Sequence, residues 1–332
     1  MKDISVILPV YNGAAMIDKC IEHLVLAGDR ILEILIIDDG STDETLSKAQ
    51  SISQAFHSIR VIHTENYGTY MARRKGVELA QGKYIAFIDV DDYFQENALD
   101  LLANLMEQHD ADIAIGGIVK TNTYDYQDKN AAAPNIRAYS SDEIWQRAMR
   151  WKTQEFINYT VNKLYRKAVL SNLVIADHIC QGDDVLLTCQ AFLKADKIVE
   201  TSQIVYYYYQ NPESVTHVSF NKHDLELTKV WNEICLLMKN QNDDLYYMAQ
   251  INRWRTDFTL ICRLILANDK SIEQEFNSDL QEWRDSLKAH YKELIKARNM
   301  PFNRYVLLVC LRFAFLPTKM LMQGVQKCRK RR

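Results

Sequence analysis

Short apolar runs alternate with amphipathic stretches of helical length over residues 3–119, and this alternation restricts the fold more than any other feature. Five runs rich in isoleucine and valine predict buried strands: Ile4–Val10, Ile31–Ile37, Ile59–Ile62, Tyr84–Ile88 and Ile113–Ile118. Four helices are predicted between them: Ala15–Ala27, Thr42–Phe56, Tyr70–Ala80 and Asn97–His109. This order is typical of a mostly parallel α/β sheet with flanking helices, a Rossmann-like architecture. Ligands of such sheets lie beyond the carboxyl ends of the strands.

The rest of the chain has a different pattern. Residues 120–139 lack periodicity and are interpreted as a surface excursion. Further elements are predicted in the middle of the chain: helices near Asp142–Arg150 and Asp184–Leu193 and an aromatic strand at Ile204–Tyr209. The remaining residues have a helical pattern, and helices are predicted over 223–240, 243–267, 271–298 and Phe302–Leu316. The last of these ends before Pro317. We therefore expect an α/β domain over 1–220, a helical region over 221–302 and an apolar, basic helical tail over 303–332.

Composition excludes several classes of protein. The chain has 332 residues, of which 48% are hydrophobic and 25% charged, so it can bury a large core and is not disordered. Its seven cysteines are scattered and form no CxxC pair. This favours reduced thiols in a cytoplasmic protein over a disulfide framework or zinc ribbon. No signal peptide is expected, because Ile4–Val10 already has the pattern of a buried strand.

Charge is distributed unevenly along the chain. Residues 294–332 contain ten Lys and Arg and no acid, whereas the preceding residues contain 30 basic and 43 acidic ones. The apolar run Tyr305–Leu316 is far shorter than the roughly 20 residues that span a bilayer. It predicts a helix on an anionic membrane surface. Docking on the core or on a second subunit, as in a homodimer, is the alternative. Nucleic-acid binding is not expected, because the body is acidic and lacks interleaved basic and aromatic residues.

Carboxylates follow two of the predicted strands. Asp38 and Asp39 end the second strand, and Asp89, Asp91 and Asp92 follow the fourth. Like charges at a ligand-binding edge repel one another, and a divalent cation such as Mn²⁺ or Mg²⁺ would compensate, with open positions for phosphate oxygens. Aspartates that only cap the following helices are the alternative. Neither a GxxxxGK[ST] loop nor a GxGxxG fingerprint is present in the sequence.

Four motifs occur in order over residues 3–119. They are Ser5-Val6-Ile7-Leu8-Pro9-Val10-Tyr11-Asn12, Asp38-Asp39-Gly40-Ser41-Thr42-Asp43, Asn66-x-Gly68 leading to Ala72-Arg73-x-x-Gly76, and Gly82-Lys83-Tyr84-Ile85 leading to Asp89-Val90-Asp91-Asp92. Together they resemble glycosyltransferase family 2, which has the GT-A fold. A weaker set follows: Asn162-Lys163-Leu164-Tyr165-Arg166, Gly182-Asp183-Asp184, with Asp183 where Glu is usual, and Tyr206-Tyr207-Tyr208-Tyr209-Gln210. Beyond about residue 220 the resemblance gives no information.

The resemblance implies a role for individual residues. The implied nucleotide-binding set is Pro9, Tyr11, Asn12, Asp39, Arg73 and Asp89. In it Tyr11 stacks on the base, Asp39 accepts a hydrogen bond from the base and Asp89 contacts the ribose. Asp91 would hold the metal, and Asp184, beside Asp183, would be the catalytic base; a simple helix N-cap is the alternative for Asp184. Apart from the resemblance, His217 is a further candidate metal ligand because histidine is a common one, and an ordinary hydrogen-bonded histidine is the alternative. Three additional candidates are Asp92, Lys163 and Arg74. Arg74 stands where the family usually has Asn. For Lys163, the alternative is an exposed surface lysine.

The resemblance also implies a function. We expect an inverting, metal-dependent enzyme that moves a sugar from a nucleotide-sugar donor, UDP-linked, to a hydroxyl of a glycan acceptor. The acceptor would be lipid-linked, at the inner face of the cell membrane, in surface polysaccharide synthesis. A sugar-nucleotide nucleotidylyltransferase is one alternative, although residues 9–15 offer no Lys or Arg for a triphosphate. A catalytically inactive binding scaffold is the other.

Overall fold

Nine strands form one mixed sheet in the computed structural model, which describes residues 1–124, 134–176, 178–210 and 220–330. The strands are β1 (Ile4–Val10), β2 (Ile31–Asp39), β3 (Ile59–Thr64), β4 (Tyr84–Phe87), β5 (Tyr93–Phe94), β6 (Ile113–Thr121), β7 (Ile136–Tyr139), β8 (Lys163–Arg166) and β9 (Ile198–Tyr209). Their spatial order is β3-β2-β1-β4-β8-β6-β9-β5, with β7 paired to β9.

The amino-terminal half of the sheet is parallel, as the sequence predicts. β1 lies between β2 and β4, and β2 pairs with β3, all in parallel register. Every residue of β1 is buried, as expected for a strand covered on both faces. Pro9 is tolerated because the pairing of β1 with β4 ends at Ile7, before the proline. The residues that follow β1, β2 and β4 therefore meet at one edge of the sheet.

The other half of the sheet contains the antiparallel pairs. β8 is antiparallel to β4 and β6, while β5 and β7 are antiparallel to β9. Two parts of the expected excursion are therefore strands, because β6 continues to Thr121 and Ile136–Tyr139 forms β7. Three of the four β7 residues are exposed, so this edge strand has no alternation that a sequence pattern would reveal.

Six helices accompany this sheet in the described part of the chain. They are α1 (Ile17–Leu26), α2 (Thr45–Ala55), α3 (Thr69–Leu79), α4 (Ala98–His109), α5 (Ser141–Ala148) and α6 (Asp183–Lys194). The four helices predicted between the first strands are all present, with shorter ends. α3 packs closely on β1, because a Cβ at Gly76 would overlap Cγ2 of Ile7. This contact positions the α3 side chains that enter the site described below.

The chain divides into two compact units. One comprises Met1–Ile144 and Asn158–Val215, and the other comprises Trp145–Ile157 and Thr216–Arg332. The division near residue 215 lies close to the predicted boundary at residue 220, which stays a prediction. Residues 145–157 belong to the helical unit, however, and the carboxyl-terminal tail belongs to it as well rather than forming a separate region.

The helical unit contains a second set of helices. They are α7 (Glu226–Lys239), α8 (Asp243–Ala267), α9 (Lys270–Glu275), α10 (Asn277–Lys296), α11 (Phe302–Phe313) and α12 (Phe315–Lys330). The helix expected over 271–298 is broken at Phe276, whose ring packs on Phe220. The helix expected over 302–316 ends at Phe313, and Pro317 lies in the first turn of α12, where no intrahelical donor is required.

In the ranges that the structure describes, no helix is both long enough and apolar enough to cross a membrane.

Candidate active site

Arg73 lies at the centre of three carboxylates. Its Nη2 donates to Asp89 Oδ1 at 2.6 Å, and its Nη1 donates to Asp184 Oδ1 at 2.9 Å and also to Asp183 Oδ2. Asp89 follows β4, whereas Asp183 and Asp184 begin α6, so one guanidinium joins a strand end to a helix start. Only 3% of the Arg73 side chain is exposed. Arg73 therefore positions the acids from within the protein. The nucleotide-binding role that the resemblance implies for it, near the base or diphosphate, stays a prediction.

Asp184 has one fixed carboxylate oxygen and one available oxygen. Thr160 Oγ1 donates to Oδ1 at 2.6 Å, in addition to the bond from Arg73. No side chain or backbone group of the described residues donates to Oδ2, and 29% of the side chain is exposed. The carboxylate is thus oriented by two donors while retaining an acceptor atom. Thr160 was not identified from the sequence, because the motif around Asn162 starts two residues later.

Burial dominates the titration of these acids. It raises the pKa of Asp183 to about 7, although Arg73 opposes the rise, and it also raises the pKa of Asp89. Burial, together with the charge of nearby Asp89, raises the pKa of Asp91 to about 6. The one buried guanidinium, that of Arg73, is thus surrounded by more than one carboxylate. The excess of negative charge favours a bound cation.

Two tyrosines of β9 hold the segment that carries the acids after β4. The Tyr206 hydroxyl accepts a hydrogen bond from Asp89 N at 3.2 Å and donates to Asp92 Oδ2 at 2.8 Å. Tyr209 N donates to Asp92 Oδ1 at 2.9 Å. Asp92 is buried, and its hydrogen bonds hold this segment against β9, which is a structural role. The sequence predicts an aromatic strand at Ile204–Tyr209 but gives no sign of this contact.

Asp91 is the acid of this segment that remains available. Among the described residues, no other residue donates a hydrogen bond to its carboxylate. The same part of the chain contains no group of three His, Cys, Asp or Glu side chains that would hold a metal ion by itself. One or two carboxylates suit a Mn²⁺ or Mg²⁺ ion whose other ligands are phosphate oxygens and water. The donor set thus fits a cation shared with a phosphorylated ligand. His217 lies outside the described residues.

The loop after β1 presents an aromatic ring to solvent. Tyr11 is 50% exposed, as a ring that stacks on a ligand requires. Asn12 has a left-handed backbone, and its Oδ1 accepts a hydrogen bond from Thr42 N at 2.8 Å. Asn12 N donates to Ser41 Oγ at 3.0 Å. Asn12 therefore ties the β1 loop to the β2 loop, while Pro9 is buried within β1.

Asp39, at the end of β2, holds the loop that leads into α3. Its Oδ1 accepts hydrogen bonds from Tyr67 N at 3.0 Å and Thr64 Oγ1 at 3.3 Å, and its Oδ2 accepts one from Gly68 N at 2.8 Å. Gly68 has φ +91°, a conformation that favours glycine. A carboxylate has about four acceptor positions. The three hydrogen bonds therefore leave room for one more from a nucleobase, and that contact stays a prediction.

Arg74 does not enter the acid cluster. Its guanidinium pairs with Glu78 at 3.0 Å, and its Nε donates to Leu173 O at 3.2 Å. It lines a separate cleft of about 460 Å³ together with Lys167. Consecutive residues of a helix point about 100° apart, so Arg73 and Arg74 cannot face the same site. In this structure Arg74 thus faces away from the acid cluster, and its role as an additional ligand candidate beside the diphosphate stays a prediction.

Lys163 is buried and has internal partners. The side chain is fully enclosed, and its Nζ donates to Asn162 Oδ1 at 2.9 Å and to Tyr159 O. The exposed-lysine interpretation is wrong, and neither acceptor is a phosphate or a carboxylate. Lys163 thus stabilises the segment that also provides Thr160.

Comparison with known proteins places this geometry in a family. The chain is 28% identical over 222 residues to the glycosyltransferase EpsJ of Bacillus subtilis, which covers 65% of this chain and 64% of that protein. It is 28% identical over 216 residues to the poly(ribitol-phosphate) beta-glucosyltransferase of Bacillus spizizenii, covering 62% of this chain and 32% of the relative. The chain thus matches less than two thirds of the length of either relative.

Solved structures show the same fold. The crystal structure of Staphylococcus aureus TarS 1–349 in complex with UDP-GlcNAc superposes with a TM-score of 0.67 at 19% identity, covering 98% of this chain and 91% of that chain. This confirms the predicted GT-A fold. The model of the family described as glycosyl transferase family 2 matches residues 5–174, just over half of the chain. The four ordered motifs are thus those of a true member: the chain belongs to glycosyltransferase family 2 and is a glycosyltransferase.

Proposed function

We propose that this glycosyltransferase moves a sugar from a UDP-sugar to a hydroxyl of a glycan acceptor, with inversion, in cell-surface polysaccharide synthesis. The observation that carries the proposal is the Asp184 carboxylate, which is fixed through Oδ1 and available through Oδ2 beside the acids joined by Arg73. The names of two similar proteins support the substrate classes. TarS was solved with UDP-GlcNAc, and the Bacillus spizizenii relative is a beta-glucosyltransferase acting on poly(ribitol-phosphate).

The donor would bind along the edge where β1, β2 and β4 end. The exposed ring of Tyr11 would stack on the base, and the remaining acceptor position of Asp39 would take a hydrogen bond from the base. Asp89 has one oxygen bonded to Arg73, and its other oxygen would accept a hydrogen bond from a ribose hydroxyl. In this assignment Arg73 and Asn12 act by positioning their neighbours.

Asp184 would act as the general base. Its Oδ2 would accept the proton of the acceptor hydroxyl while that oxygen forms a bond to the anomeric carbon and the bond to the diphosphate breaks. Attack from the face opposite the leaving group inverts the anomeric configuration. Thr160 and Arg73 restrain the carboxylate in one orientation, which preserves the short approach that proton transfer requires. Asp183, protonated about half of the time near pH 7, limits the negative charge beside Asp184.

Asp91, with Asp89 beside it, would hold Mn²⁺ or Mg²⁺. When bound, such an ion supplies positive charge that stabilises the departing nucleoside diphosphate. Asp92 would contribute indirectly, since its hydrogen bonds with β9 maintain the segment that presents Asp91.

The test is release of nucleoside diphosphate from a panel of nucleotide sugars, with Mn²⁺, Mg²⁺ or EDTA and a polyprenyl-linked glycan as acceptor. We expect metal-dependent UDP release from one donor, lost in Asp91→Asn, and glycosylated product lost in Asp184→Asn. Asp110→Asn is the matched control, because Asp110 is an exposed acid at the end of α4.

Two results would overturn the proposal. Pyrophosphate release from a nucleoside triphosphate and a sugar phosphate would indicate a nucleotidylyltransferase instead. Tight UDP binding without turnover of any donor and acceptor pair would indicate a binding scaffold. If the Asp184→Asn variant still formed the inverted product at the wild-type rate, the transferase assignment would stand but Asp184 would not be its base.

A further inference from the structure

Helix α11 has apolar side chains on two opposite faces. Leu308 and Leu311 lie in the hydrophobic core of the helical unit. Four apolar side chains on the other face are exposed: Phe302 (82%), Val306 (47%), Val309 (38%) and Phe313 (65%). Their spacing of four, three and four residues places them in one stripe along the helix. A helix needs only one apolar face to join a core, so this stripe serves another purpose.

The next helix also exposes apolar side chains. Four large apolar side chains of α12 are exposed: Leu316, Met320, Leu321 and Val325. Single exposed apolar residues are common on proteins, but eight within 24 residues are typical of an interaction surface. We call the four exposed side chains of α11, Phe302, Val306, Val309 and Phe313, the apolar face.

Three basic residues of these two helices, Arg304, Arg312 and Lys319, have partners inside the helical unit. The Arg304 guanidinium lies over the Phe258 ring at 4.9 Å, and that of Arg312 lies over the Tyr291 ring at 5.4 Å. Lys319 Nζ pairs with Glu273 at 2.7 Å. Basic residues that bind an external partner must therefore be others, before α11 or after Val325.

Such charge flanks the apolar face on both sides in the sequence. Lys296 and Arg298, just before α11, are exposed and have no ion pair among the described residues. After Val325 the sequence contains five basic residues, Lys327, Arg329, Lys330, Arg331 and Arg332. No acidic residue occurs between Leu294 and the last residue. A partner for the apolar face must therefore tolerate or attract positive charge.

We propose that the apolar face docks on the surface of an anionic lipid bilayer, with α11 lying in the plane of the interface. Twelve helical residues span about 18 Å, which is too short to cross the hydrocarbon core but sufficient to lie along it. Anionic headgroups neutralise the flanking Lys and Arg side chains. A second copy of the chain would instead bring two sets of like charges together.

The test is sedimentation of the full chain with vesicles of phosphatidylcholine alone or with 30% phosphatidylglycerol. We expect binding to the anionic vesicles that weakens as salt increases. The double variant Phe302→Gln and Phe313→Gln should lower the partition coefficient at least about tenfold. Phe56→Gln is the control, because Phe56 is also exposed, at 47%, but lies in the α/β unit. All of these side chains are exposed, so thermal stability should be unchanged.

A charge variant separates the electrostatic contribution. Lys330→Gln, Arg331→Gln and Arg332→Gln together should weaken binding to the anionic vesicles by roughly fivefold per charge and leave binding to neutral vesicles unchanged. Deletion of residues 303–332 is a poorer test, since it also removes Leu308 and Leu311 from the core.

Three results would overturn the proposal. They are failure of the wild-type chain to bind anionic vesicles, equal binding by the double Phe variant, and a dimer in sedimentation equilibrium that the double Phe variant abolishes. The last would assign the apolar face to a second copy of the chain. None of these measurements uses a sugar donor, so the outcome is independent of the proposed transferase substrates.

Discussion

Asp39 ends β2 and Asp91 lies just beyond the end of β4, so both are at the same edge of the sheet, on either side of β1. Their carboxylates nevertheless have different surroundings. The Asp39 carboxylate accepts three hydrogen bonds from residues 64–68. The Asp91 carboxylate accepts none from any other described residue, and burial raises its pKa to about 6. A carboxylate whose oxygens have donors stabilises its own loop, whereas one that is desolvated without donors is disposed to bind a cation or a proton.

The same difference separates the adjacent acids that begin α6. Asp183 is buried against Arg73, while Asp184 keeps one oxygen without a described donor. The acids of this site thus divide into those that maintain the geometry and those left available for chemistry. Four substitutions test this division, from the largest expected effect to the smallest.

Arg73→Met should have the largest effect, because it leaves Asp89, Asp183 and Asp184 without their shared counter-charge. Removing one partner of a buried charged network costs about 3–5 kcal/mol, and we expect sugar transfer to be lost as well. Urea denaturation and product formation measure the two effects. Arg74→Met is the matched control on the same helix, and its partly exposed pair with Glu78 should cost under about 1 kcal/mol. Equal losses in both variants would contradict the central role of Arg73.

Asp184→Asn should abolish most of the activity while leaving the fold intact. Loss of a general base lowers kcat by about 10²–10⁴-fold. The amide still accepts hydrogen bonds at Oδ1, so the melting temperature should change little. Steady-state rates measure the first effect and calorimetry the second. Thr160→Val, which removes only one restraint on Oδ1, should give a smaller loss of kcat. A larger loss in Thr160→Val would be inconsistent with Asp184 as the base.

Asp183→Asn should change the pH dependence of stability. The folded pKa of Asp183 is about 7, against 3.8 for the ordinary carboxyl, so the folded state binds more protons between these values. Its contribution to stability is therefore greatest below about pH 4 and is lost as pH rises toward 7, at up to about 1.4 kcal/mol per pH unit.

Thermal unfolding in EDTA between pH 4 and pH 8 measures this dependence. The Asp183→Asn variant should show a flatter profile and gain stability relative to wild type near pH 8. A profile that falls equally steeply in the variant would mean that another group is responsible.

Tyr206→Phe should have the smallest effect. It removes the hydroxyl that joins Asp89 N to Asp92 Oδ2, and loss of such a bond costs about 1 kcal/mol. We expect a slight fall in the melting temperature together with weaker metal activation, because the segment carrying Asp91 is less restrained. Tyr208→Phe is the control two residues further along β9, since the Tyr208 hydroxyl makes no hydrogen bond with another described residue. An equal effect on metal activation in the two variants would exclude the proposed restraint.

The parallel strands and their helices were predictable, because strands buried on both faces appear as continuous Ile and Val runs. The antiparallel additions were not. β7 is an exposed edge strand without alternation, and β8 coincides with a stretch recognised only as a motif. The direction of Arg74 and the burial of Lys163 also escaped prediction, since both depend on packing against residues far away in the sequence.

The amino-acid sequence by itself determined the family, the α/β sheet and the strand ends at which acids gather, since these follow from local apolar patterns and ordered motifs. Tertiary structure alone decided which of those acids are satisfied and which are available. The reason is that the donors come from distant positions: Arg73 reaches Asp184 across 111 residues, and Tyr206 reaches Asp92 across 114. It also decided that one face of α11 joins a core while the other remains exposed, because burial depends on neighbours that a helical period does not specify.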